Sequence, residues 1–243
     1  MRIGIFSDVH SNHSALRTVI DYCRGAGVER FICLGDVIGY GAEPNECCEL
    51  IRNVANVTLL GNHDAACIGV MDTSYYYKEA RDALLWTRER LTAENFRWLY
   101  SLPYSFHYDN LAFYHSAPIQ PSGFYYVVTT SDADLHSRMD DRLQEFNFVG
   151  HSHLTNMYAL GGRKVKDATG GECRALAGRK WIINVGSVGQ PRDRDPRTCF
   201  GIFDTEAQSF EHVRLEYDVD ATASRILDAG LARKFARRLY SGT

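Results

Sequence analysis

Several absences narrow the possibilities before any motif is considered. No apolar run approaches the roughly 20 residues that a membrane-spanning helix needs. The opening Met1-Arg2-Ile3-Gly4-Ile5-Phe6 passes into polar residues too soon for the apolar region of a signal peptide. A cytoplasmic location with no membrane partner is therefore expected. No CxxC pair marks a zinc site, and the seven cysteines, an odd number that includes the adjacent Cys47-Cys48, lack the evenly paired framework of a secreted disulfide fold. They read as reduced thiols, mostly in the core. One charge does not dominate either: 27 Lys and Arg against 30 Asp and Glu leave a net charge of -3, with no strong nucleic-acid signal. Repeats, low-complexity tracts and an interdomain linker are also missing.

What is present suits a single domain over residues 1–243, since 243 residues at 45% hydrophobic content can bury one full core. Short β-rich runs at Arg2 to Phe6, Arg30 to Leu34 and Val54 to Leu60 alternate with helical spacing such as Leu16, Val19, Ile20 and Cys23. A helix-compatible, aromatic-rich stretch runs from Tyr75 to Leu102. After Pro103 further strands are expected at Leu111 to His115, Phe146 to Val149, Met157 to Leu160, Trp181 to Val185, Phe200 to Phe203 and Phe210 to Leu215. Gly161 to Gly178 reads as a long exposed hairpin or loop, and 219–239 as a C-terminal helix. Its basic residues, Arg225, Arg233, Lys234, Arg237 and Arg238, read as a solvated face. The expected fold class is α/β, with two packed mixed β-sheets flanked by helices in a four-layer α-β-β-α sandwich.

Ligand-type side chains recur where these strands end, which is where open α/β sheets leave a crevice. They are Asp8 and His10, Asp36, Asn62 with His63, His115, and His151 with His153. Even seven of these eight as ligands exceed what one small divalent cation accepts, so two ions sharing a carboxylate fit better. Imidazole mixed with carboxylate and amide oxygen suits Mn, Fe, Zn, Co or Ni rather than Mg or Ca, with Mn expected to serve best in vitro.

The order Asp8-x-His10, Gly35-Asp36, Gly61-Asn62-His63-Asp64, His115 and Gly150-His151-x-His153 resembles the calcineurin-like metallophosphoesterase superfamily over residues 4 to about 205. Asp8-Val9-His10-Ser11-Asn12 and Gly35-Asp36-Val37-Ile38-Gly39-Tyr40-Gly41 are similar to its small bacterial phosphodiesterase branch. The resemblance implies Asp8, His10 and His153 on one metal, Asn62, His115 and His151 on the other, and Asp36 bridging. It implies His63 as the group that protonates the leaving oxygen or steadies the phosphoryl group, with Asp64 as its orienting partner. Attack by a metal-bridging hydroxide without a phosphoenzyme follows from the same likeness. An Arg soon after the bridging Asp, as in the family's protein phosphatases, is missing here, which turns the expectation toward phosphodiesters, with monoesters as further substrates. Purple acid phosphatases place a metal-binding Tyr three residues after that Asp, whereas Tyr40 is four residues on. The rival reading is a non-catalytic protein-interaction scaffold on the same fold, against which His63 argues.

Substrate contacts are expected from Asn12, Tyr40 and Arg192. Asn12 also reads as a helix cap, and Arg192 with Arg194 could instead pair with Asp193 and Asp195 on the surface. The aromatics Tyr75, Tyr76, Tyr77, Trp86, Phe96, Trp98, Tyr100 and Tyr104 read mainly as core, with a nucleobase-stacking lid as the alternative. Tyr125 and Tyr126 have a better claim to a pocket rim. The implied partner is a small-molecule or nucleotide phosphate ester.

Overall fold

The computed structural model describes residues 1–74, 76–138, 140–161 and 164–243. Tyr75 lies outside these residues. Strands β1 (Arg2–Phe6), β2 (Arg30–Cys33) and β3 (Val57–Thr58) alternate with helices α1 (His13–Gly25), α2 (Pro44–Val54) and α3 (Asn62–Cys67), and α4 (Lys78–Arg90) and α5 (Ala93–Tyr100) follow. Next come β4 (Ser105–Tyr108), β5 (Leu111–Tyr114), α6 (Thr130–Ser137), β6 (Phe146–Val149), β7 (Met157–Gly161), β8 (Lys164–Asp167), β9 (Cys173–Arg174) and β10 (Arg179–Asn184). The remaining elements are β11 (Thr198–Asp204), β12 (Ser209–Leu215), α7 (Val219–Asp228) and α8 (Arg233–Ser241).

The strands form two six-stranded mixed sheets, ordered β3-β2-β1-β11-β12-β9 and β4-β5-β6-β10-β7-β8. In the first, β1, β2 and β3 run parallel and β11 joins β1 antiparallel. In the second, β5, β6 and β10 are the parallel members. Apolar side chains on the facing surfaces, Ile3, Ile5, Leu34 and Phe203 from one sheet and Phe113, Phe146, Phe148 and Ile183 from the other, make the central core. α1 and α2 cover the outer face of the first sheet with Leu16, Val19, Ile20 and Ile51, and α6 covers the second with Ala133. The expected four-layer sandwich is thus the observed one.

Local differences have local causes. The stretch from Tyr75 to Leu102 holds two helices, because Thr92 in extended conformation accepts from the Asn95 N–H and starts α5 anew. The C-terminal segment expected as one helix is also two: Gly230 at φ 72 follows the end of α7, with the N–H groups of Leu231 and Gly230 donating to Ile226 and Leu227. That closure satisfies the last carbonyls and turns the chain. The segment expected as a hairpin or loop at 161–178 carries β8, paired with β7, and β9, paired with β12. No helix among the described residues is long and apolar enough to cross a membrane.

Candidate metal centre

Parallel pairing in both sheets sends the chain exits of β1, β2, β3, β5 and β6 to one end of the seam between the sheets. Asp8 and His10 follow β1, Asp36 follows β2, Asn62 opens α3 just after β3, His115 follows β5, and His151 and His153 follow β6. All seven are buried, none more than 7% exposed. The loops are laced to one another: the N–H groups of Asp8, His10 and Ser11 donate to the carbonyls of Gly35, Asp36 and Val37, each at 3.0 Å.

Five of the seven, Asp8, His10, Asp36, His151 and His153, have left-handed backbone, with φ between 48 and 65. Such conformations cost non-glycine residues of order 1–3 kcal/mol each and collect at functional sites, and Asp and His tolerate them better than most. They swing the side chains inward. Close packing makes glycine obligatory beside them: a Cβ on Gly61 would lie 2.1 Å from Asp36 Oδ1, and one on Gly150 2.7 Å from Asp8 Oδ2.

Hydrogen bonds then fix where the lone pairs point. Asp8 Oδ2 accepts from the His151 N–H at 2.9 Å and Asp36 Oδ1 from the His63 N–H at 2.8 Å, which leaves Asp8 Oδ1 and Asp36 Oδ2 facing the histidines. The Nδ1 atoms of His10, His115 and His153 lie 3.2, 3.1 and 2.6 Å from the carbonyl oxygens of Ile38, Leu34 and Gln190. A carbonyl only accepts, so each Nδ1 must carry hydrogen and each neutral ring presents a lone pair at Nε2. His10 Nε2 and His153 Nε2 are 3.1 Å apart, and His115 Nε2 is 3.1 Å from Asn62 Oδ1, whose amide nitrogen donates to the Tyr76 hydroxyl. Acceptor facing acceptor repels unless a proton or a cation lies between.

Protonated imidazoles do not suit this site. Burial holds His10, His115 and His153 well below the ordinary imidazole range and His151 down at about 4. Burial likewise pushes Asp8 up to about 7 and Asp36 well above the carboxylate range, and Asp8 Oδ1 has no hydrogen-bond partner. A divalent cation would relieve both penalties together. Asp8, His10 and His153 form one group with ligand atoms within 4.8 Å, and Asp36, His115 and His151 another. Asp36 Oδ2 stands between them, 3.6 Å from His10 Nε2 and 3.5 Å from His115 Nε2.

His63 shares the site, within 4.8 Å of His10 and Asp36, but its Nδ1 is buried with no hydrogen-bond partner. The expectation that Asp64 orients His63 is corrected by the structure. Asp64 occupies the third position of α3, from which its carboxylate reaches back to the N–H groups of Gly61, Val37 and Ile38 at 3.1 to 3.3 Å. It knits the β2 and β3 loops together rather than touching the imidazole. Asn12 likewise stays out of the cavity: its Oδ1 caps α1 through the Ala15 N–H and its Nδ2 donates to the Gly189 carbonyl.

Above the Asp and His cluster lies a cavity of about 340 Å³ lined by Tyr40, His63, Met71, Tyr76, Tyr77 and Phe124, together with Tyr126 and Arg192. Arg192 faces this space, over the Tyr40 ring at 5.8 Å, because Arg214 and Arg197 take the carboxylates of Asp193 and Asp195. Tyr126 stacks on His151 at 4.0 Å. Of the aromatic stretch, Tyr76 and Tyr77 reach the cavity while Phe96, Trp98 and Tyr104 pack on the α1–α2 core. Met71 and Phe124 carried no signal in the sequence, since apolar residues of these types serve equally in a core.

Comparison with known proteins places this geometry in a lineage. Residues 1–208 match the calcineurin-like phosphoesterase superfamily domain. An uncharacterized protein of Methanocaldococcus jannaschii is 34% identical over 244 residues, covering 99% of this chain and 98% of its own. The crystal structure of a metallophosphoesterase from Sphaerobacter thermophilus is similar at a TM-score of 0.84 and 34% identity, covering 100% of this chain and 99% of that one. A hypothetical protein from Pyrococcus horikoshii OT3 shares the fold at a TM-score of 0.79 and 20% identity, with 100% of this chain and 98% of that one covered.

Proposed function

Because the chain belongs to the calcineurin-like phosphoesterase superfamily, we propose that it is a dinuclear-metal phosphodiesterase that also accepts phosphomonoesters. The observation that carries this reading is the set of opposed lone pairs, His10 against His153 and His115 against Asn62, in a buried site where protonation of these imidazoles is disfavoured. Asp8, His10 and His153 would hold one cation, Asn62, His115 and His151 the other, and Asp36 both. Such a pair supplies acidified water and takes up charge on the phosphoryl oxygens.

The chain's own groups supply the rest. In hydrolysis a water oxygen bonds to phosphorus as the ester P–O bond breaks, and the leaving oxygen takes a proton. Burial and the Arg192 charge hold the His63 ring well below the ordinary imidazole range; beside a bound phosphate anion it would carry and donate that proton, and the proton released by the attacking water restores it. Arg192 pairs with a non-bridging oxygen, and its planar fork suits that role. Tyr40, Tyr77 and Tyr126 line the space for the ester groups. Arg192 is the one Lys or Arg side chain lining the cavity among the described residues, and a single fixed cation suits the monoanion of a diester.

Metal analysis of purified protein should find two divalent ions per chain. Bis(p-nitrophenyl) phosphate should be turned over faster than p-nitrophenyl phosphate, with Mn best among Mn, Ni, Co, Zn and Mg. A protein that held no cation and turned over neither ester with any of these ions would favour the scaffold reading.

A further inference from the structure

His63 poses a mechanical question, because no carboxylate holds its ring. Packing must do so instead. The imidazole is bounded by Tyr40 at 4.4 Å, His10 at 4.8 Å and Tyr76 at 5.1 Å between ring centroids. A Cβ on Gly39 would lie 2.6 Å from His63 Nδ1, so the glycine backbone closes another side. Tyr40, at φ 56, is held in turn by Phe235 of α8, whose ring lies 4.9 Å away and is fully buried. Ala80 and Ala83 of α4 and Ala223 and Ile226 of α7 complete this small core.

α7 and α8 lie beyond residue 208, where the superfamily match ends. They nevertheless touch three loops of the site. Thr222 meets Asn12 at 3.3 Å, Arg225 meets Glu43 at 3.5 Å, and the Gly242 carbonyl accepts from the Arg194 N–H at 2.8 Å.

We propose that the C-terminal helix pair is a positioning device for His63, acting through Phe235 and Tyr40. An imidazole without a hydrogen bond at Nδ1 keeps its aim only while neighbouring rings prevent it from turning. Emptying the space behind Tyr40 lets both rings shift, and small misplacement of a reacting group is costly. The inference rests on the proton-donor reading of His63 above and adds how that donor is held.

The test compares two diesters on the metal-loaded enzyme, one with an alkoxide leaving group and one with p-nitrophenolate, which leaves without a proton. Phe235→Ala should lower kcat for the alkyl ester about 10-fold more than for the nitrophenyl ester. KM and metal content should stay near wild type, and Phe235→Leu should restore most of the loss. Leu160→Ala, buried on the outer face of the other sheet, is the control for general destabilisation and should show no leaving-group dependence. If Phe235→Ala fails to fold, Phe235→Val carries the same comparison. Equal losses on both esters, or a pattern like that of Leu160→Ala, would overturn the proposal. His63→Ala separates the two layers: if it shows the leaving-group signature and the Phe235 variants do not, only the positioning inference fails. If His63→Ala shows none, the donor reading itself fails.

Discussion

The floor and the wall of the cavity are made by different means. The floor is polar, buried and rigid: Asp8, His10, Asp36, His151 and His153 sit in left-handed backbone, and three imidazoles are locked by main-chain carbonyls. The wall is aromatic and partly open, with Tyr77 41% and Tyr126 54% exposed, and it is drawn from segments that connect regular elements. Chemistry that needs atoms held to fractions of an ångström is built from backbone geometry, whereas the surface that meets the variable part of a substrate is built from side chains that can repack.

The sharpest break of this contrast is Asp36→Ala. It removes the oxygen between the two histidine groups and should cost both ions and about 10⁴-fold in kcat/KM, equivalent to several kcal/mol of charge stabilisation. Elemental analysis beside the assay checks it. His63→Ala should retain metal and lower kcat toward an alkyl diester by about 10²-fold; full turnover would remove His63 from the mechanism. Moving to the wall, Arg192→Ala should raise KM about 10-fold with a smaller change in kcat, the loss of one charge-assisted hydrogen bond. Tyr126→Ala should alter KM by only about 5-fold, with a sign that depends on the ester group, since stacking contributes about 1 kcal/mol. A Tyr126 effect as large as that of Asp36 would erase the distinction between floor and wall.

The smallest effect concerns the support of Arg192. Arg197 and Arg214 hold Asp195 down at about 2. A depressed carboxylate contributes stability that is present above its unfolded value near 3.8 and is lost as pH falls through about 2. Asp195→Asn should therefore flatten the stability–pH curve between those values, lower it by a constant amount above them, neutrality included, and leave it unchanged below about 2, as followed by thermal unfolding.

The same division decides what can be read from the sequence. Asp8, His10, Asp36, Asn62, His115, His151 and His153 announce themselves because polar residues at strand ends have few other reasons to recur, and the two sheets follow from short β-rich runs buried on both faces. The role of Asp64 was hidden because adjacency in the chain says nothing about direction: from the third position of α3 its carboxylate points back along the helix, away from His63. Met71 and Phe124 were hidden because lining a cavity and filling a core use the same side chains. β8, with its sequence Lys-Val-Lys-Asp, shows no apolar face because it is an edge strand with its side chains largely in water.

The pairing of β1 with β11 has a temporal consequence. β1 is synthesised long before its antiparallel partner, which spans Thr198–Asp204, and the Gln190 carbonyl that sets the His153 ring also arrives late. A nascent chain can carry all seven of these side chains and still lack the frame that aims them, because such distant contacts form only once most of the chain is available. Assembly of the polar floor is then a closing event of folding, and a truncated or stalled chain presents its histidines unassembled.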